Sequence, residues 1–178
     1  MRTFIALELP EEMKDEIVGL QKELEKSGLF DGKLTERENL HLTLKFLGEI
    51  SEEQAEDVKE ILGKVKFNKF NVKISQVGVF NENFIRIIWG ALSGKELFDT
   101  QKEIDDKLKE LFAEEERFMG HITLARPKSV PDKKKLIIGL ESLKMSEKNY
   151  VVDKISFKKS ELKKEGPVYE NLLVIEGK

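Results

Sequence analysis

The chain has no cysteine. That excludes disulfides, thiolate nucleophiles and zinc sites built on thiolates. It has no apolar run long enough to span a bilayer. The opening stretch from Met1 to Pro10 meets a charge at Arg2 and is too short for a secretory signal, so it reads as a strand. G-x-S-x-G, G-x-x-x-x-G-K-[ST] and H-E-x-x-H are all missing. These absences argue against a serine hydrolase, an ATP-driven mechanism and a zinc hydrolase. The expectation is a cytoplasmic enzyme or binding protein with no membrane partner, no ATP and no cofactor.

Excess charge of either sign is also lacking, with 31 Lys/Arg against 34 Asp/Glu and a net of −3. A tight, sequence-independent grip on long nucleic acid needs a surplus of cations, so that class is disfavoured. The balance is uneven, however. From Arg126 onward 13 Lys/Arg face 8 Asp/Glu, whereas residues 1–125 carry 18 against 26. A local basic surface of that size can hold a short phosphorylated end. Charged residues reach 37%, with Lys and Glu in excess, which fits a thermophilic bias. At 178 residues and 39% hydrophobic, the chain is expected to form one domain of two joined lobes, 1–178, and to be a monomer.

Histidine is nearly absent, and its two occurrences share a context: His41-Leu42-Thr43-Leu44 and His121-Ile122-Thr123-Leu124. With five threonines in the chain, chance coincidence of both is on the order of one in a thousand. An isolated histidine is most often a surface or core residue with a backbone partner. Two in matching frames, 80 residues apart, point instead to a paired acid/base site. In a strand, residues i and i+2 share a face. His41 and Thr43 then project together, as do His121 and Thr123, with leucine and isoleucine behind them. Two imidazoles and two hydroxyls facing one pocket make an in-line phosphoryl displacement site that needs no metal. No third ligand stands at a spacing that would favour zinc.

The pattern around the motifs is helix alternating with strand. Thr3–Leu9 is expected as a strand and Pro10 as a helix start, with Met13, Ile17, Leu20 and Leu24 inward and Gly28 as the stop. Leu29–Arg37 reads as a polar connection, and Asn39–Leu47 as a strand broken by Gly48. Ser51–Gln54 reads as a capping box for a helix burying Ala55, Val58, Ile61, Leu62 and Val65. Phe70–Phe80 and Phe84–Trp89 form a hairpin candidate. Ser93–Glu96 reads as a second capping box, before Leu97, Ile104, Leu108, Leu111 and Phe112. Phe118–Arg126 is a strand stopped by Pro127, and Pro131–Leu140 a helix. Tyr150–Phe157 and Asn171–Glu176 are closing strands around the turn Lys164–Pro167. The expected class is α+β: a duplicated unit with a pseudo-twofold axis, one histidine strand in each half.

With these residues in view, the chain resembles the two-histidine phosphoesterase superfamily, in its RNA 2′,3′-cyclic phosphodiesterase (2′-5′ RNA ligase) branch. The segments that carry the likeness are Arg2–Pro10, Glu38–Glu49, Arg86–Trp89, His121–Arg126, Ser160–Leu162 and Gly166–Tyr169. Two departures stand out. Gly120 replaces a frequent proline before the second histidine, which would loosen the backbone there. Lys33–Glu36 replaces a stretch that often carries tryptophan. The resemblance implies a bilobal fold with antiparallel sheets lining a central groove. It implies hydrolysis of RNA 2′,3′-cyclic phosphate ends to 2′-phosphomonoesters, with ATP-independent 2′-5′ joining as the reverse. RNA ends or small cyclic phosphates are the partners.

By that resemblance His41 is the proton donor to the leaving 3′ oxygen and His121 the proton acceptor from water. Thr43 and Thr123 bind the phosphate oxygens. Lys45, Arg86, Arg126 and Tyr169 are candidate RNA contacts. Lys45 shares parity with His41, so alternation turns it to the groove. Arg126 has the wrong parity unless a bulge precedes Pro127. Phe46, Phe80 and Trp89 are candidates for base stacking, with Phe46 read as core. A non-catalytic nucleotide or RNA-end binding module of the same fold is the alternative.

Overall fold

Helices form where apolar residues recur every three or four positions and the ends are capped. In the computed structural model, which describes residues 1–178, helix α1 (Glu11–Ser27) buries Met13, Ile17, Leu20 and Leu24. Gly28 ends it in the left-handed region, φ 66°, with its N–H on the Glu25 carbonyl. Helix α2 (Glu52–Gly63) begins with the Ser51–Gln54 capping box in both directions. Helix α3 (Lys95–Leu108) does not use the box expected at Ser93. Ser93 ends the preceding strand, and Gly94, at φ 149°, caps without a side chain. A Cβ on Gly94 would lie 2.8 Å from the Asn71 carbonyl oxygen, so the chain can leave the strand only as glycine. Helix α4 (Lys133–Glu141) starts after Asp132, which accepts from the Lys135 N–H.

The strands are β1 (Arg2–Leu7), β2 (Asp31–Leu34), β3 (Leu42–Glu49), β4 (Phe70–Val79), β5 (Ile88–Ser93), β6 (His121–Ser129), β7 (Tyr150–Val152), β8 (Lys154–Lys163) and β9 (Gly166–Glu176). They form two sheets, β3-β1-β8-β9 and β2-β6-β5-β4-β7, and every pairing is antiparallel. The fold is α+β, as expected. The duplication is visible in the order β1-α1-β3-α2-β4 and β5-α3-β6-α4-β8. In each repeat the first strand is flanked by the second strand of its own repeat and the last strand of the other.

The lobes are therefore not the two halves of the chain. Strand β4 leaves the first half for the second sheet, and β8 returns to the first. The expected strand Tyr150–Phe157 is in fact two, divided at Asp153, because its halves serve different sheets. The polar connection 29–37 contains β2, which edges the second sheet against β6. Gly48 and Pro127 do not end their strands. Each stands where the ladder register shifts or beside such a shift, which absorbs glycine's φ of 77° and proline's missing N–H. Leucines 40, 42, 44 and 124 and Ile122 enter one hydrophobic core, leaving the opposite strand faces to line the groove. No helix is long and apolar enough to cross a membrane.

Candidate active site

Both imidazoles are held in the same way. His41 Nδ1 lies 2.7 Å from the Asn39 carbonyl, and His121 Nδ1 lies 3.0 Å from the Met119 carbonyl. Each partner is two residues upstream. A carbonyl only accepts, so Nδ1 carries the proton and donates it. That leaves both Nε2 atoms as the ones that gain or lose a proton. His41 Nε2 is 3.1 Å from Thr43 Oγ1, so the i, i+2 alternation read from the motif holds. His41 packs against Phe4, ring centres 4.9 Å apart, and edge-on against Tyr169 at 5.3 Å. His121 packs perpendicular to Phe80 at 5.1 Å. Phe80 in turn touches Trp89, whose indole lies across Gly78; a Cβ there would come within 2.7 Å of the ring.

Burial pushes the His41 pKa down, and the charges of Lys158 and His121 add to this. The Asn39 carbonyl and Glu8 oppose it without prevailing. Sequence reasoning does not single out Glu8 or Lys158. Lys158 Nζ is 2.7 Å from Glu8 Oε1 and 2.8 Å from Asn171 Oδ1, forming a half-buried polar floor beside His41. Burial alone would raise the Glu8 carboxyl, but Lys158 and the Ser156 hydroxyl outweigh it and hold it below the ordinary range. The one signal in the sequence is a carboxylate ending an otherwise apolar strand. A cavity of about 300 Å³ opens next to this floor, lined by Asn39, Lys158, Tyr169 and Asn171, with Glu36 and Glu38 also on its wall.

One irregularity, present in both motifs, decides the remaining candidates. Between Ile5 and Ala6 the partner register jumps from Lys45 to Thr43, so Leu44 is an extra residue in β3. Between Ile88 and Trp89 it jumps from Ala125 to Thr123, so Leu124 is the extra residue in β6. After each bulge the parity flips. Lys45 is thereby turned away from the groove, contrary to the alternation argument. Its side chain is 4% exposed, and its ammonium is paired with Asp105 and donates to the Ala113 carbonyl at 2.7 Å. Its ammonium is thus engaged inside the protein rather than offered to the groove. Asp105 also accepts from the Glu115 N–H at 2.8 Å, so the pair ties the first motif to the segment leading toward His121.

The same bulge brings Arg126 onto the groove face, where strict alternation would not place it. Phe46, the equivalent residue in β3, is 53% exposed rather than core. The Arg2 guanidinium lies 5.1 Å over its ring. Tyr169 meets the site through His41 and Phe4. Burial raises its phenol pKa, and Arg126 and Arg2 partly offset this. Arg86 instead stacks on Phe84 in the β4–β5 connection, 4.4 Å from the ring centre.

The two sequence departures also find places. The Gly120 backbone is not loose: its carbonyl accepts from the Leu92 N–H at 2.8 Å, and Leu97 fills the space a Cβ would take. Lys33 donates to the Glu165 carbonyl at 2.7 Å, latching β2 to the β8–β9 turn. No group of three or more His, Asp or Glu side chains is arranged to hold a metal ion.

Two imidazoles with free Nε2 atoms, each two residues before a threonine on its strand, have the groups to deliver a proton on one side of a phosphorus atom and remove one on the other. The fold and the paired motifs are those of the two-histidine phosphoesterases. A family described as LigT-like phosphoesterase matches residues 7–89 and 93–169, one motif in each segment, and the chain belongs to that family. It is 38% identical to the RNA 2′,3′-cyclic phosphodiesterase of Methanocaldococcus jannaschii, covering 96% of this chain and 97% of that one. It is 33% identical to the protein of the same description from Archaeoglobus fulgidus, over 99% and 100%. Among solved structures, TT0787 of Thermus thermophilus superposes with a TM-score of 0.84 at 27% identity, covering 99% and 97%. Escherichia coli LigT complexed with 3′-AMP shares the fold, with a TM-score of 0.75 at 22% identity over 98% and 96%.

Proposed function

We propose that this phosphoesterase opens 2′,3′-cyclic phosphates at RNA ends, leaving a 2′-phosphomonoester, by acid/base catalysis without a metal. The observation that carries the reading is the mirrored pair of imidazoles, each with Nδ1 fixed by a backbone carbonyl and a threonine two residues on. Relatives matched over their full length are described as RNA 2′,3′-cyclic phosphodiesterases.

In the reaction, water attacks phosphorus as the P–O3′ bond breaks. His121 Nε2 takes the proton from water, and protonated His41 Nε2 gives one to O3′. Thr43 and Thr123 donate to the non-bridging oxygens. With the 5′ hydroxyl of a second strand in place of water, the same displacement is 2′-5′ joining. It needs no ATP, because the strained ring supplies the driving force. Arg126 and Tyr169 contact the RNA. Burial lowers the His41 pKa in the free protein, and a bound phosphate anion raises it again, favouring the protonated form that the acid step uses. That same burial favours a second reading in which the two histidines exchange roles.

The test is incubation with an RNA ending in a 2′,3′-cyclic phosphate, with the product phosphate position mapped and the reaction repeated after exhaustive chelation. A 2′-phosphate formed at undiminished rate is expected. Binding without turnover would support a nucleotide-binding module instead, and loss of rate restored by one metal would end the metal-free mechanism.

A further inference from the structure

The two bulges place equivalent residues, Phe46 and Arg126, beyond the threonines of their motifs on the groove face. Phe46 is paired across the sheet with Phe4, whose ring touches His41. The second motif supplies a guanidinium directly at this position. The first supplies an aromatic ring with the Arg2 guanidinium resting on it. Arg2 lies two residues before Phe4, on the same face of β1. It pairs with Ser160, which pairs with Tyr169, so Arg2, Ser160 and Tyr169 form one row across the sheet. Arg126 pairs with Lys33, whose ammonium reaches the Glu165 carbonyl in the β8–β9 turn, just ahead of the strand that carries Tyr169. Both arginines therefore stand at the end of the groove where Tyr169 sits.

Neither guanidinium has an anionic partner within the chain. Glu49, opposite Arg2, pairs with the N-terminal ammonium at 3.4 Å. Glu36, which follows β2, pairs with Lys33 at 3.4 Å. Arg37, by contrast, is held by both Glu11 and Asp15. Two exposed, unpaired forks from opposite sheets are suited to one phosphate diester or monoester. Because a bulge adds no rise, Phe46 and Arg126 each lie about two strand steps beyond their threonines, roughly 7 Å, and the Arg2 guanidinium reaches back from the row of Glu49 to lie over Phe46. That is the order of the spacing between successive phosphates in a single strand.

We infer that Arg2 and Arg126 form a second phosphate subsite, which binds the phosphate on the 5′ side of the terminal nucleoside while the cyclic phosphate lies between the histidines. This rests on the proposed function and narrows its substrate to ends carrying an upstream phosphate. The Tyr169 ring lies between the two positions as a wall for the intervening nucleoside. The phosphate could come from an internal diester of an RNA strand or from a 5′-monophosphate, since the forks recognise either.

The experiment compares three substrates: a nucleoside 2′,3′-cyclic phosphate, the same with a 5′-phosphate, and a dinucleotide ending in the cyclic phosphate. Both kcat/KM and the Kd of the corresponding 2′-phosphate products are read. The dinucleotide is expected to exceed the plain nucleoside by at least about 10-fold in each, as charge-assisted contacts to one phosphate imply. Arg2→Ala and Arg126→Ala should each shrink that ratio, and Arg126→Lys should restore part of it. A 5′-phosphorylated mononucleotide matching the dinucleotide supports the subsite and identifies a monoester as sufficient. One matching the plain nucleoside identifies the diester as the source only if Arg2→Ala and Arg126→Ala shrink the dinucleotide's ratio, and otherwise overturns the subsite. Equal values for dinucleotide and plain nucleoside in the unaltered protein overturn the subsite yet leave the proposed function standing. A ratio unchanged in both alanine variants overturns it too. Should none of the three be hydrolysed, the proposed function fails, and the ratio of product Kd values still decides the subsite.

Discussion

At the scale of single residues, the chemistry turns on which nitrogen of each imidazole is free. The backbone carbonyls of Asn39 and Met119 occupy Nδ1, so only Nε2 exchanges protons in the groove. His41→Ala and His121→Ala should each lower kcat by about 10²–10⁴-fold, and the double variant little further, because the pair acts as a unit. Single-turnover kinetics check this; near-normal turnover by either variant would contradict the paired site. The pH profile follows from the His41 shift. An acid with a lowered pKa loses its proton earlier, so the alkaline limb of kcat/KM should fall below the ordinary imidazole value of ~6.5. Bound phosphate favours the imidazolium, so the alkaline limb of kcat should lie higher. If His41→Ala keeps the alkaline limb and His121→Ala loses it, the roles are reversed.

At the scale of elements, paired bulges and a buried ion pair align the two motifs. Lys45 reaches from β3 to Asp105 on α3, and Asp105 holds the Glu115 N–H in the segment approaching β6. Removing one partner strands the other charge in the interior. Lys45→Ala should therefore cost about 3–5 kcal/mol in denaturant unfolding, whereas Lys45→Met with Asp105→Leu should recover most of it. A loss below about 1 kcal/mol for the single change would refute the buried pair. Gly78 offers an optical check, because Trp89 is the one tryptophan. Gly78→Ala pushes a Cβ into the indole and should shift its emission. It should also lower turnover through Phe80 and His121, and unchanged fluorescence would argue against that contact. Ser51→Ala removes half a capping box and should cost about 1 kcal/mol.

At the scale of the whole molecule, the exchange of β4 and β8 between sheets makes each lobe depend on both halves of the chain. Separate halves should not fold, since each lacks a strand its own sheet requires. The groove's buried groups also set how stability responds to acid. His41 and Glu8 both have lowered pKa values in the folded protein, so the unfolded chain binds protons more readily. Their contribution is fully present above the unfolded values and is lost as pH falls, from ~6.5 downward for His41 and from ~4.3 downward for Glu8. Calorimetry should show Tm falling on acidification. His41→Ala should flatten the upper part of that fall, and an unaltered slope there would contradict a buried neutral His41.

The sequence by itself determined the class of the fold, the inward faces of the helices except at Leu111, which lies beyond α3 and is exposed, the α2 capping box and the two motifs. These rest on local periodicity and short-range chemistry, which a chain carries wherever it folds. His41 with Thr43, and His121 with Thr123, needed only the two-residue repeat of an extended strand. Lys45, Arg126 and Phe46 needed more. Their side depends on one extra residue in each ladder, and a bulge is defined by the partner strand, β1 or β5, that the local sequence does not contain. The division of Tyr150–Phe157 between two sheets, and the arrival of Glu8 and Lys158 beside His41 from opposite ends of the chain, have the same cause. Only tertiary pairing decided which apolar stretch found which neighbour, and so which charges were buried and which were left facing the groove.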